Sequence, residues 1–349
     1  MGKIRLKKNR NGTAVAIFSM KRGMFFTLIA ITVMALFIVL FTPQADISLQ
    51  KDTEAIATRI NSVNNYVDDL ENEYFETILR ATTYKALLSL IFYINSTQSH
   101  IVDLDSAFSE VAINGTLNGE PIDKITVKKI MYNNTLTNWS NRIIGTAKNT
   151  LNVNTTISII NVSVYQTKPW SIDANLKVNF AVNSNVAEWK KENVTITTSL
   201  SIEGLHDPYY LKNTAGLYTN QIKRSSVGFD QWNIPKVREH LRNGTYVYWQ
   251  NSDAPSFLMR FTNTITNSSC CGIESLVNPN KVIPSDQIES YVDYLFWTHA
   301  FNTKCSELYN ITNPFTGGGL WDEFRYFKLD LSHVIKYNIT SQDAVRTCQ

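Results

Sequence analysis

The chain has 349 residues, with 33 Lys and Arg against 30 Asp and Glu, which gives a formal net charge of +3 at pH 7. This near balance argues against a strongly acidic or basic partner, and the length suits one elaborate domain or two modest ones. The first 23 residues contain seven Lys and Arg and no acidic residue. Aromatic side chains for base stacking are almost absent from this tail, so we predict no nucleic-acid partner.

An apolar run without charge, Gly or Pro follows the basic tail at residues 24–42. As a helix it is about 28 Å long, which matches the hydrocarbon thickness of a bilayer. We therefore predict a transmembrane helix over 24–42, with the lipid bilayer as a partner. The flanking Lys and Arg predict a single-pass cell-membrane protein with residues 1–23 in the cytoplasm and the remainder extracytoplasmic. A cleavable secretory signal is the alternative, but no small-x-small cleavage motif follows the run.

Eleven N-x-S/T sequons beyond this run agree with an extracytoplasmic location. A chain rich in Asn and Thr also produces sequons by composition alone, and this is the alternative explanation. The candidate glycosylation sites are Asn95, Asn114, Asn133, Asn138, Asn154, Asn161, Asn193, Asn243, Asn267, Asn310 and Asn338.

Four cysteines, Cys270, Cys271, Cys305 and Cys348, also lie far beyond the apolar run. An even number in an oxidising compartment predicts disulfides, and a zinc site is disfavoured because no C-x-x-C pair is present. A bond between neighbouring cysteines has poor geometry, so we expect Cys270 and Cys271 each to reach a distant partner. The sequence leaves open whether Cys270 pairs with Cys305 or with Cys348.

Residues 46–95 are predicted to form a long amphipathic stalk helix. Residues 46–94 contain no Gly or Pro, and apolar residues recur in steps of three and four. The apolar stripe consists of Ile56, Ile60, Val63, Val67, Leu70, Tyr74, Ile78 and Ala81. It resembles a coiled-coil seam over its first half, so it packs either on the chain's own head or on the helix of another copy.

Residues 96–150 are predicted to form a helical and loop segment, with helices at 103–113 and 123–146. Residues 151–265 predict an antiparallel β head, because apolar and polar residues alternate at 172–182 and 194–202. An earlier strand at 155–165 changes phase at Ile159–Ile160, which indicates a bulge. Further short strands are expected at 246–250 and 257–262.

The last segment, residues 266–349, is rich in loops and contains the four cysteines. The predicted fold class is therefore α+β. It comprises an N-terminal transmembrane helix that continues into the stalk helix, an antiparallel sheet head and a disulfide-tied C-terminal region.

No residue set for catalysis, metal or cofactor binding emerges, so we predict no enzyme activity and no cofactor. The five histidines are scattered, and no Gly-rich nucleotide loop or nucleophile elbow occurs. His206-Asp207-Pro208 is better explained as a turn than as a metal or base site, and Gly317–Gly319 as a flexible loop. Six tryptophans are candidates for stacking on sugars: Trp170, Trp189, Trp232, Trp249, Trp297 and Trp321.

The junction Lys21-Arg22-Gly23, followed directly by the apolar run, resembles the class III signal of archaeal type IV pilin-like proteins. The order of basic tail, apolar helix, stalk and β-rich head is similar too, as it is in uncharacterised anchored surface proteins of small-genome archaea. The resemblance implies processing between Gly23 and Met24. The family usually carries Glu at the fifth mature position, which supports filament assembly, whereas this chain has Leu28.

These observations together predict a membrane-anchored extracytoplasmic surface protein with a structural, adhesive or pilin-like role. Self-association through the stalk helix would be its mode of assembly. The alternative is an extracytoplasmic, receptor-type module that captures a ligand and works with a membrane partner. The sequence identifies no ligand.

Overall fold

The amino-terminal helix α1 extends over Arg22–Asp69 in the computed structural model of the chain. The structure describes residues 22–250, 252–264, 268, 270–282, 289–298, 307–311 and 327–347, without the side chains of 22–25 and 39–52. The described residues form an α+β fold with antiparallel sheets. The chain divides into two units, Met1–Asn65 and Tyr66–Gln349.

The prediction of a transmembrane helix at 24–42 is wrong. Within the described ranges, no helix has both the length and the apolar character needed to cross a membrane. The apolar run does not form an element of its own, because the 48-residue helix α1 continues past Pro43 into the charged sequence that follows.

A π-turn, Leu70–Tyr74, separates α1 from helix α2, Phe75–Thr97. Its signature is the backbone bond from the N–H of Phe75 to the carbonyl of Leu70, which spans one residue more than an α-helical bond. The extra residue rotates the helix surface, so Phe75 is buried at 3% exposure while Tyr74 is 47% exposed. Tyr74 therefore leaves the predicted stripe, and Phe75 takes its place.

Helix α3, Leu104–Asn114, begins where the sequence predicts, because the Asp103 carboxylate accepts hydrogen bonds from the N–H groups of Asp105 and Ser106. It is followed by the short strands β1, Thr116–Leu117, and β2, Glu120–Pro121.

The single helix predicted at 123–146 is instead two helices, α4, Ile122–Ile125, and α5, Leu136–Leu151. The Asp123 carboxylate accepts hydrogen bonds from the N–H groups of Ile130 and Met131 and so fixes a loop between them.

Three long strands form an antiparallel meander in the order β3-β4-β5. Their bounds are Asn154–Lys168, Ser171–Asn183 and Glu188–Ser201. Apolar side chains of one face, such as Val162, Leu176 and Ile196, are buried, and helices α2, α3 and α5 pack on the sheet. The predicted bulge is confirmed, since the register shifts between Ile159 and Asn161.

The remaining elements are short. The helices are α6, Pro208–Asn213; α7, Ile234–Asn243; α8, Met259–Thr262; α9, Asp293–Thr298; and α10, Leu331–Lys336, with a 3-10 turn at Phe229–Gln231. The strands are β6, Val247–Tyr248; β7, Ile273–Glu274; β8, Leu308–Ile311; β9, Lys328–Asp330; and β10, Ala344–Arg346. Strands β6 and β7 pair, and the other three form a sheet in the order β10-β8-β9.

The strand expected at 257–262 is wrong, because this segment contains helix α8. Phe257 and Phe261, four residues apart, are fully buried with ring centroids 5.4 Å apart, a contact that one helical turn brings together. The strand expected at 246–250 is shorter than predicted, since β6 covers only Val247–Tyr248.

Replacing Val67 by Asp should lower the free energy of unfolding by about 3 kcal/mol, because Val67 is 2% exposed and an unpaired charge would be buried. Ile56→Asp is the matched control, since Ile56 is 47% exposed. Urea unfolding monitored by circular dichroism measures both. Equal stability of the Val67 variant and the wild type would contradict the burial of the stripe at this position.

Candidate functional site

Among the residues that the structure describes, Arg260 is the largest fully buried side chain. Its Nη1 lies 2.6 Å from Oδ2 of Asp207 and 2.7 Å from Oδ2 of Asp293, and both carboxylates are also fully buried. Its Nη2 donates a short hydrogen bond to the carbonyl of Ile273. One guanidinium thus joins three segments that are distant in sequence.

Each of the two carboxylates also holds the start of a helix. Oδ1 of Asp207 accepts from the N–H of Tyr209 at 2.9 Å, which caps α6. Oδ1 of Asp293 accepts from the N–H of Tyr294 at 2.7 Å, at the start of α9. The two helices are therefore anchored to α8 through Arg260.

Hydroxyl groups complete the shell of this ion cluster. The Tyr246 hydroxyl donates to Oδ2 of Asp207 at 2.8 Å, and the Asn220 amide donates to the same hydroxyl at 3.0 Å. Ser275 Oγ donates to Oδ2 of Asp293 at 3.0 Å and lies 2.8 Å from the Tyr210 hydroxyl. These contacts replace the water that buried charges lose.

The cluster holds two carboxylates for one guanidinium, and this imbalance affects the pKa of Asp293 and of Arg260. Burial raises the pKa of Asp293 to about 6, opposed by Arg260 and reinforced by the nearby charge of Asp207. Burial disfavours the charged guanidinium, but the two carboxylates outweigh this effect and raise the pKa of Arg260.

A second buried cluster surrounds the imidazole of His333. Its Nδ1 lies 2.7 Å from Oδ2 of Asp330, and its Nε2 lies 3.2 Å from Oε2 of Glu274. Tyr337 donates its hydroxyl hydrogen to Oε1 of Glu274 at 3.1 Å, and Ser290 donates to Oδ2 of Asp330 at 2.7 Å. The imidazole is therefore held between two carboxylates.

These contacts favour a charged imidazolium. Burial opposes the charge of His333, but Glu274 and Asp330 raise its pKa to about 9. Burial likewise disfavours the charged carboxylate of Glu274, yet the charge and hydrogen bond of His333 lower its pKa to about 2. The pKa of Asp330 is also lowered, against the effect of burial, by its hydrogen bond with His333.

Strand β7 and the residue after it join the two clusters. The carbonyl of Ile273 accepts from Arg260, the side chain of Glu274 contacts His333, and the side chain of Ser275 contacts Asp293. Successive residues of an extended strand point to opposite sides, so β7 places one cluster on each side of itself.

An aromatic cavity of about 520 Å³ lies in the same unit, bounded by residues 224–229 and 247–249. Trp232 and Trp249 form its inner wall with ring centroids 5.9 Å apart, and Phe229 packs on Trp249 at 5.2 Å. Phe229 is 62% exposed, so its ring is accessible at the cavity. The guanidinium of Arg224 also borders the cavity and stacks over the ring of Trp170.

The rings behind the cavity connect it to the charged clusters. Tyr337 packs edge-on against Trp232 and Trp249 while its hydroxyl binds Glu274. His240, also packed on Trp232, is buried, and burial lowers its pKa to about 4. The cavity wall is thus fixed by groups that themselves have little freedom to move.

The predicted long-range disulfides are wrong for Cys270 and Cys271, which are bonded to each other. Both sulfur atoms lie 3.6 Å from the carbonyl oxygen of Gln166. The N–H of Cys271 donates to Ser268 Oγ, and a Cβ at Gly272 would collide with the carbonyl of Ala254. Cys305 and Cys348 lie outside the described residues.

None of the ten sequon asparagines that the structure describes is buried. Seven are exposed, namely Asn114, Asn133, Asn154, Asn161, Asn193, Asn243 and Asn338, and three are partly exposed, namely Asn95, Asn138 and Asn310. Asn267 lies outside the described residues. Surface position is a requirement for glycosylation, so these sites stay candidates.

The other candidate residues are dispersed. His206-Asp207-Pro208 is not the predicted turn: His206 forms a β-bridge with Gln221, Asp207 caps α6 and Pro208 begins that helix. Of the six tryptophans, Trp232 and Trp249 meet at the cavity and Trp297 packs on Tyr210 elsewhere. Gly23 and Met24 lie in α1, and Gly317–Gly319 and Trp321 lie outside the described residues.

The accessible chemistry of the site is that of binding. Arg260 and its carboxylates are fully buried, whereas Phe229 and Arg224 are exposed and offer an aromatic face and a guanidinium. In the part of the chain that the structure describes, no three His, Cys, Asp or Glu side chains converge in an arrangement that would hold a metal ion.

Comparison with known proteins gives no relative for this chain: no family model, no curated protein and no solved structure matches it.

The stability of the protein should fall as pH rises from 6.5 to 9. The pKa of His333 is raised on folding, so its contribution is complete below the unfolded value of 6.5 and is lost as pH passes about 9. The total loss is about 3 kcal/mol, from a rise of about 2.5 in pKa. Urea unfolding at several pH values measures it.

His333→Gln is the comparison variant, and its stability should be nearly independent of pH over this window. If this variant does not fold, NMR titration of the His333 ring in the wild type gives the pKa directly. Equal slopes in both proteins, or a measured pKa near 6.5, would contradict the ion cluster.

Proposed function

We propose that the chain is an extracytoplasmic structural or adhesive protein, pilin-like in that it self-associates through the amino-terminal part of α1. The observation that carries this proposal is the exposure of the apolar residues at 26–38 in that helix. They include Phe26 at 71%, Ile31 at 69% and Met34 at 69% exposure.

These residues surround the helix rather than forming one face. Exposed apolar side chains occur at Phe26, Leu28, Ile29, Ile31, Val33, Met34, Leu36, Phe37 and Ile38. At 100° per residue, this set covers the full circumference, and a helix that is apolar all round requires an apolar environment. Matching helices of other copies provide such an environment, and this supports assembly.

Two features of the second unit support an extracytoplasmic location. Disulfides such as Cys270–Cys271 persist mainly in oxidising compartments, which supports this location. The sequon asparagines are accessible throughout the described part of that unit, as glycosylation requires. Neither feature depends on α1, so location and assembly are tested separately.

The double variant Ile31→Glu/Met34→Glu tests the assembly. Both side chains are exposed, so the helix should still form, but the charges should dissociate assemblies of the full chain into monomers. Ile56→Glu is the matched control, because Ile56 is exposed on α1 outside the apolar segment. Light scattering coupled to size-exclusion chromatography measures the mass of each species.

Liposome flotation accompanies this measurement, because lipid also provides an apolar environment for the same residues. Assembly of the wild type without lipid, lost in the double variant and kept in the control, supports the proposal. A wild type that is monomeric without lipid and floats with liposomes would overturn self-association as the role of this segment.

A second candidate function is capture of a small ligand, which the aromatic cavity favours. An exposed ring beside a guanidinium and the hydroxyls of Ser225 and Ser226 provides stacking together with hydrogen bonding. Sugars combine an apolar ring face with hydroxyl groups and fit this surface.

Tryptophan fluorescence titration with neutral oligosaccharides tests this candidate, since Trp232 and Trp249 line the cavity. A saturable change in emission that is lost in Phe229→Ala is the expected result. Phe26→Ala serves as the control, because Phe26 lies in the other unit. An unchanged response of the Phe229 variant would exclude this cavity as the binding site.

A further inference from the structure

The three-stranded sheet has two open edges. Its order is β3-β4-β5, and among the described residues no other strand pairs with the outer side of β3 or β5. Each edge therefore presents backbone N–H and C=O groups that another extended chain could bind, except at Gln166 of β3, whose carbonyl faces the sulfur atoms of Cys270 and Cys271. Natural proteins protect such edges with charged side chains, proline, bulges or a cover.

Strand β3 lacks the charges that normally protect an edge. From Asn154 to Thr167 it contains no Lys, Arg, Asp, Glu or Pro, and it is rich in Ile, Val and Thr. Ile160 at 45% and Tyr165 at 41% exposure lie on it. Long, uncharged segments of this composition add strands readily and form aggregates.

The bulge of β3 coincides with a sequon. The register with β4 shifts between Ile159 and Asn161, and Asn161 is exposed and begins Asn161-Val162-Ser163. Neighbouring side chains of the strand, Val162 and Val164, are buried at 1% and 5% exposure. The Asn161 side chain therefore lies on the solvent side of the edge strand, next to the exposed Ile160.

The opposite edge has the same arrangement. The register between β4 and β5 shifts at Val178/Phe180, and Asn193 lies at this bulge with a positive φ of 55°. Asn193 is exposed and begins Asn193-Val194-Thr195. All charged residues of β5 precede Asn193, so the half from Asn193 to Ser201 is as uncharged as β3.

There is room for a bulky group at the edge of β3. A cleft of about 620 Å³ is lined by Asn161, Val162 and Ser163 on the strand and by residues of α3 that include Asn114. A glycan on Asn161 would extend beside this cleft and over Ile160. A second chain could then not approach the backbone of the strand.

We propose that N-linked glycans on Asn161 and Asn193 protect the two open edges of the β3-β4-β5 sheet and prevent other chains from adding strands there. This inference rests on the extracytoplasmic location in the proposed function. It assigns a specific role to the two sequons that lie at the bulges of the sheet.

The test uses full-length protein from a host that performs N-glycosylation. Ser163→Ala and Thr195→Ala remove the two sequons and leave both bulge asparagines in place. Asn243→Gln is the matched control, because Asn243 is an exposed sequon residue at the end of α7, away from the sheet. All variants carry Ile31→Glu/Met34→Glu, so that association through α1 does not mask the result.

Glycopeptide mass spectrometry should find Asn161 and Asn193 occupied. The Ser163→Ala/Thr195→Ala protein should shift from monomer to larger species that bind thioflavin T, while Asn243→Gln should remain monomeric. Trimming of the glycans on the folded parent protein with an endoglycosidase, which leaves the asparagines intact, should produce the same shift without any substitution at the sheet.

Glycans on other sequons with Asn161 and Asn193 bare would overturn the inference but keep the extracytoplasmic location. Occupied sites with monomeric sequon variants would also overturn it. No glycan on any sequon would contradict both the inference and the glycoprotein part of the proposed function. Assembly through α1 is decided by the separate comparison of wild type with Ile31→Glu/Met34→Glu.

Discussion

The buried guanidinium of Arg260 is the constraint on which the second unit depends. It contacts Asp207, Asp293 and the carbonyl of Ile273, so it fixes the starts of α6 and α9 and the position of β7. Burial of a guanidinium carries a desolvation penalty of several kcal/mol, which only well-placed partners offset. The segments of Asp207, Arg260 and Asp293 must therefore assemble together, because each of them alone leaves a charge unpaired.

The ion pairs of Arg260 connect distant segments of the second unit, a role that the sequence predicts for long-range disulfides. The disulfide between Cys270 and Cys271 joins neighbours and closes no long loop, so it links no distant segments. Strand β7 instead carries the connection, with Arg260 on one side and His333 on the other. Because this framework is internal, it leaves Phe229 and Arg224 exposed at the aromatic cavity.

The sequence predicts those elements whose conformation is determined by neighbouring residues in the chain. Strict alternation of apolar and polar residues identifies β4, and the phase change at Ile159–Ile160 identifies the bulge of β3. It does not predict the π-turn, since Tyr74 and Phe75 are both aromatic and only packing selects Phe75 for burial. It also misses Arg260, because an isolated Arg between apolar residues indicates an exposed side chain unless its distant carboxylates are known. The cavity depends on the same distant contacts.

The most direct test of this account is the free energy of unfolding of Arg260→Met, compared with Arg260→Met/Asp207→Asn/Asp293→Asn. The single substitution leaves two buried carboxylates unpaired, while the triple variant removes all three charges and keeps side chains that can cap α6 and α9. We expect a loss of about 3–5 kcal/mol in the single variant and recovery of most of it in the triple variant. A single variant as stable as the wild type, or a triple variant as unstable as the single one, would contradict the account.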